Sequence, residues 1–200
     1  MKCFVASILA GVAASSPSLG PVVGGYDVVE FHNLQATDDG VLGSSAFTHD
    51  LLTEDLSPDS SKKMKSTNWT FHFKNKANQE LFAADPWAYA PRYGGFWGHG
   101  TVHEVPPQWP WAKDHLGPPG NPKLAWTLYN STLYLNYLPE INKKFQQDID
   151  TKIATANARW IGWYGELNAG PFNYQCWQNT TVVPPTRDCR ANPQVIPFEK

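Results

Sequence analysis

Cysteine is scarce in this chain, with Cys3, Cys176 and Cys189 alone among 200 residues, and no two of them form a CxxC pair. That spacing, with no histidine near either late thiol, argues against a thiolate zinc site. Charge is also sparse. Only 17% of residues are charged and the formal net charge is -2, becoming -3 without residues 1–20, which carry Lys2 and no acid. Such a balance gives no electrostatic case for a nucleic-acid partner. Long hydrophobic runs are missing as well. The longest, Phe4 to Ala14, falls short of the about 20 residues a spanning helix needs, so no membrane span is expected in the mature chain. Catalytic signatures are missing too: no GxSxG elbow, P-loop, dinucleotide fingerprint, HExxH or Cys beside His occurs. Eighteen acidic residues contain no pair that a spacing rule selects, so the sequence leans away from an enzyme.

Aromatic residues and proline are abundant instead. Nine Trp and seventeen Pro accompany an apolar content of 42%, enough for one core and too short a chain for two full domains. Lys2, the apolar run and the small polar end Ser15-Ser16-Pro17-Ser18 have the layout of a secretory signal peptide over 1–20, with cleavage near Ala13 to Ser16. Export removes Cys3 and leaves Cys176 and Cys189 as an even pair, expected to form a disulfide that stabilises by about 3 kcal/mol. Three sequons, at Asn68, Asn130 and Asn179, agree with a secreted or secretory-lumen glycoprotein.

Periodicity predicts an α+β fold: a small antiparallel sheet, short helices and one long C-terminal amphipathic helix packed on it. Strands are expected over Tyr26 to Phe31, Val41 to Phe47 and Asn68 to Lys74, the last alternating Trp69, Phe71 and Phe73 against Thr70, His72 and Lys74. His49 to Lys65, dense in Asp, Ser and Lys, reads as a surface insertion. Asn75 or Asn78 caps a helix with Leu81, Phe82 and Ala84 on its apolar side, stopped by Asp85-Pro86, and Tyr89 and Tyr93 meet if a second turn is helical. Leu124 to Tyr129 and Thr132 to Tyr137 flank Asn130-Ser131 as a hairpin. Ile141, Phe145, Ile149, Ile153, Ala156 and Trp160 recur at helical spacing from Pro139 onward, in one helix of about twenty residues. Residues 164–200 form a Pro-rich tail, and no internal repeat stands out.

Five pieces occur in a telling order: Gly25-Tyr26-Asp27, Thr70 to Phe73, Phe82 to Phe96 (FAADPWAYAPRYGGF), Trp126 to Tyr137, and Ile141 to Trp160. Together they resemble the YHS domain family, in its larger secreted or periplasmic branch, across about two thirds of the chain. The resemblance implies a YHS-like domain over 21–163, a short helix within Phe96 to Val102, and association with copper or another soft metal. In that family a Cys usually follows YGG-[YF]; here the position is Trp97.

The resemblance directs attention to Gly94 to Glu104. His99 and His103 are four apart and share a face if helical, with His115 as a third metal ligand and His72 or Glu104 as substitutes. Copper or zinc is the metal such donors fit. The commoner role of isolated histidines is that of hydrogen-bonded surface residues. Trp97, Trp109 and Trp111 offer flat faces to a small ligand, and an aromatic-lined carbohydrate or small-molecule site at the Trp109 to Trp111 loop is the alternative. Trp126 and Trp160 read as core, and Asp27 as a turn cap.

Overall fold

Residues 20–59, 63–102, 112–113, 116 and 119–174 are described by the structure, a computed structural model. Outside them lie residues 1–19 of the expected leader, His103, Glu104, Trp109, Trp111, His115, Asn179 and both tail cysteines.

The architecture is α+β. Strand β1 (Ser44–Thr53) pairs antiparallel with β2 (Thr67–Phe73), and β3 (Trp126–Tyr129) with β4 (Thr132–Leu135), in two separate sheets. Around them run α1 (Lys76–Ala84), α2 (Pro86–Tyr89), α3 (Gly98–Val102), α4 (Pro139–Gln146) and α5 (Ile149–Tyr164). Strand β2 behaves as its alternation predicts: Trp69, Phe71 and Phe73 are buried while Thr70 and His72 are half-buried. The hairpin is also as expected. Asn130 and Ser131 both take positive φ, 47° and 56°, the two-residue turn that matches strand twist. Asn75 caps α1, its side chain accepting from the Asn78 N–H. Trp126 and Trp160 are buried at 5% and 1% exposure.

Five local expectations are corrected. Tyr26 to Phe31 is no strand: Tyr26 makes a single antiparallel bridge to Leu42, and Glu30–Asn33 is one tight helical turn. The cause is Asp27, whose Oδ1 accepts from the N–H groups of Val29 and Glu30 and so withdraws them from any ladder. His49 to Lys65 is no surface insertion, since β1 runs to Thr53, and Thr53, Asp55, Ser57 and Met64 are buried. Its polar residues bond inward: Asp55 accepts from Ser57 N–H and Oγ–H, from Met64 N–H and from Lys113. In α1 only Asn78 and Phe82 are buried, and Leu81 is left 48% exposed. Tyr89 and Tyr93 share no helix, because Ala90 and Pro91 are extended and Tyr93 turns to φ 55° inside a different cluster. The long helix is two helices. Gln147 is extended and Asp148 left-handed at φ 52°, a conformation Asp tolerates better than most residues, so the apolar spacing carries across the break unseen in the sequence.

Among the described residues two hydrophobic clusters result. One gathers Trp69, Phe71, Phe73, Phe82, Phe172 and Tyr174 with Val22 and Val23; the other gathers Tyr93, Phe96, Tyr134, Phe145, Trp160 and Tyr164. Residues 165–174, near the start of the segment that composition sets apart as a tail, leave the helix and yet are integral to both, through Ala169 in one and Phe172 and Tyr174 in the other. They also bring the two ends of the described body together. A side chain on Gly20 would stand 3.3 Å from the Tyr174 carbonyl.

A repeat emerges that the sequence reading lacks. The turn Val22–Gly25 follows Pro21 with Val23 at φ 47°, ψ 39° and Gly24 at 67°, 19°; the turn Arg92–Gly95 follows Pro91 with Tyr93 at 55°, 35° and Gly94 at 59°, 18°. Asn173 lies between the two. Its carbonyl accepts from Val23 N–H at 2.7 Å, its N–H donates to the Gly94 carbonyl at 2.7 Å, and its side chain reaches the Gly95 carbonyl.

Candidate functional site

The segment after the second turn is held at both ends. Trp97 bridges Leu135 in parallel, the Thr101 N–H and hydroxyl both donate to the Trp97 carbonyl, and Arg159 donates to the Thr101 carbonyl from α5. At the start of α3 the His99 N–H donates to Asn136 Oδ1 at 2.9 Å. These anchors explain why a run with two glycines and β-branched Thr101 and Val102 still forms a helix: tertiary bonds outweigh weak intrinsic propensity.

Asn136 is the head of a buried amide network. Its Nδ2 donates to Asn142 Oδ1, which also accepts from Thr127 Oγ1, while Asn142 Nδ2 donates to the Trp126 carbonyl and Gln146 Nε2 to Thr127 Oγ1. Buried polar groups paired in this way fix the relation of α3, α4 and the second hairpin.

On this frame three rings converge. The Trp97 indole lies 6.4 Å from the His99 imidazole with 30° between planes, and 5.9 Å from the Tyr137 ring at 37°. All three residues are half-buried. The structure thus joins two residues the sequence singled out, Trp97 and His99, and adds Tyr137. Its only signal in the sequence was its place at the end of the hairpin motif.

The remaining described histidines do not gather. His72 stands on β2 facing Gly25, His32 packs edge-on against Tyr89 at 5.0 Å, and His49 against Phe82 at 5.6 Å. Burial pushes both His32 and His72 below the usual imidazole range, favouring their neutral forms. Among the described residues no group of three or more His, Cys, Asp and Glu is placed to hold a metal ion. The expected partners His103 and His115 lie outside those residues, and α3 stays helical to Val102, one residue short of His103.

A second cluster has the composition of a nucleophile site without its chemistry. Lys113 Nζ lies 2.6 Å from Asp55 Oδ2 and donates to Ser57 Oγ at 2.7 Å, and Ser57 in turn donates to Asp55 Oδ1 at 2.6 Å. Ion-paired Lys113 is a donor and no base, and Ser57 is 4% exposed, so this trio is a structural knot tying the connection at Lys113 to the first sheet. Nothing in the sequence signals it, because Ser57 and Lys113 stand 56 positions apart. Asp27 is likewise structural, as its capping role predicts. Its Oδ2 accepts from the Lys74 N–H and from Asn78 Nδ2, both at 2.7 Å.

Of the described sequons, Asn68 is exposed on β2 and Asn130 at the hairpin turn. A cavity of about 240 Å³ opens beside the second hairpin between Leu34, Ala36, Trp126, Thr127, Leu128 and Gln146. No helix among the described residues is long and apolar enough to cross a membrane. Comparison with protein-family models, curated proteins and solved structures finds no match for this chain.

Proposed function

We propose that this chain is a secreted, non-enzymatic binding protein of the YHS type, and that the face formed by Trp97, His99 and Tyr137 takes a small planar ligand. One observation carries the reading. Where the resembling family has a thiol, this chain presents an indole, half-buried, at the entry to an anchored helix and flanked by the rings of His99 and Tyr137. Half-buried aromatic faces offer area without a charged anchor, which suits a flat uncharged ligand such as a phenol or indole derivative. A divalent metal, copper or zinc, is the competing occupant. It is favoured by the helical path of α3 toward His103, and it needs His115 or another donor to complete the shell.

Calorimetry separates the two. Phenol and indole derivatives are expected to give heat with the wild type and none with Trp97→Leu, circular dichroism confirming that the variant is folded. Planar compounds that give no heat, or equal heat with both proteins, overturn the reading. Cu(II) or Zn(II) heats abolished in His99→Ala install the metal instead. Secretion is tested by mass spectrometry of the native protein, expected to begin between about residues 14 and 21 and to carry glycan at Asn130 or another sequon.

A further inference from the structure

The two Pro-x-x-Gly-Gly turns are part of a larger correspondence. After each comes an aromatic residue that makes an isolated antiparallel bridge, Tyr26 to Leu42 in one case and Phe96 to Pro119 in the other. The residue after each bridge partner is a glycine whose N–H donates to the second glycine carbonyl of the turn: Gly43 to Gly25 at 2.8 Å, and Gly120 to Gly95 at 3.2 Å. A Cβ on either glycine would collide with the end of its own hairpin, at the His72 carbonyl group and at Leu135 respectively. Among the described residues the element order is the same on both sides: tight turn, short helix, two-stranded hairpin, helix, helix.

We infer that the described residues contain two copies of one unit, beginning at Pro21 and at Pro91, and that the second copy has transferred the structural duty of one position to another, freeing Trp97 for ligand contact.

The equivalences make this concrete. Position 27 matches 97 and position 29 matches 99, while Asn136 stands where the first copy has Phe73: Phe73 pairs with Ser44, the residue after Gly43, and the Asn136 carbonyl accepts from Asn121, the residue after Gly120. In the first copy the side chain after the turn is the hub. Asp27 takes the Val29 N–H, the Lys74 N–H and the amide of Asn78 on the following helix. In the second copy the side chain comes from the other end of the same junction: Asn136 takes the His99 N–H and bonds Asn142, again on the following helix. The same donor, turn and helix are joined by a group supplied from the opposite strand. With the hub moved to Asn136, position 97 no longer needs an acceptor and carries a half-buried indole.

Only the ligand-contact role of Trp97 rests on the reading of the previous section; the correspondence of the two copies does not. A double-mutant cycle on the full chain tests the correspondence. Asn136→Ala leaves the His99 N–H and the Asn142 carboxamide without this partner, and the folded-to-unfolded ratio is expected to drop by roughly tenfold to a hundredfold. Trp97→Asp places the first copy's hub residue in the second. It is expected to be destabilising alone and to recover roughly tenfold of the ratio when added to Asn136→Ala, because the carboxylate can take the His99 N–H as Asp27 takes that of Val29. If the two substitutions are merely additive, or the double variant is less stable than additivity requires, the correspondence is wrong. The ligand role is read separately. In the folded Trp97→Asp variant, heat with the planar ligands is expected to vanish; heat that persists refutes the role of Trp97 while leaving the cycle to stand or fall on its own.

Discussion

Replacing Asp27 by Asn should be costly although it changes a single atom type. The carboxylate is fully buried and accepts four hydrogen bonds, Oδ1 from Val29 and Glu30 N–H at 2.9 and 3.2 Å, Oδ2 from Lys74 N–H and Asn78 Nδ2 at 2.7 Å each. An amide offers one accepting oxygen. Whichever way it is turned, its NH2 faces two donors and leaves both without an acceptor. At about 1–3 kcal/mol for each buried donor so stranded, the loss is about 3 kcal/mol and at most about 6. Domains of this size are held by about 5–15 kcal/mol, so the variant should fold with a much reduced margin. With a urea slope of about 2 kcal/mol per molar, the unfolding midpoint followed by tryptophan fluorescence should fall by about 1.5 M. A midpoint within about 0.25 M of wild type, the range of an ordinary surface substitution, would show that Asp27 is no hub.

Other consequences are open to direct measurement. Burial raises the Asp55 carboxyl, but hydrogen bonds from Lys113, Ser57 and Met64 outweigh it and hold the group below its usual range. Its stabilising contribution is therefore complete above the unfolded value of about 3.9 and is lost as pH falls below that through the folded value. Lys113→Met should cost about 3 kcal/mol at pH 7 by stranding a buried carboxylate, and the gap to wild type should narrow on acidification to about pH 3; a gap equal at both pH values contradicts the pairing. Phe172 is 2% exposed and packs on Phe71, Trp87 and Trp69 at 5.1, 6.0 and 6.1 Å. Phe172→Ala is expected to lose about 3–5 kcal/mol in urea unfolding, whereas a loss under about 1 kcal/mol would place residues 165–174 outside the core.

What could be read in the sequence was whatever depends on neighbours. The alternation of β2, the Asn75 cap and the Asn130-Ser131 turn are set by residues a few positions apart, and each forms as read. Failures arose where a distant group competes for the backbone. Val28 and Val29 favour a strand, but the Asp27 hub needs the N–H of Val29 for a turn that also reaches Lys74, 47 residues away. Polar residues of His49 to Lys65 were read as solvated because composition cannot show that Asp55 meets Lys113. At the site, Trp97 and His99 were legible from their place after the Gly-Gly turn. The supports Asn136 and Arg159 were not, since what selects them is the position of two backbone groups in α3. The duplication stayed hidden because three identical residues, Pro, Gly and Gly, and an aromatic are nearly all that the two turns share in letters, while their dihedral angles agree closely.

The nearness of Gly20 to the Tyr174 carbonyl has a consequence for the order in which the chain is written. Because the described body closes on itself there, and Ala90 and Pro91 form the extended joint between its halves, the point at which reading begins is incidental to its shape. A gene that begins at Pro91, runs through the second half and residues 165–174, crosses a short link to Gly20 and ends at Ala90 encodes the same contacts. Asn173 would still sit between both turns, now in the middle of the polypeptide.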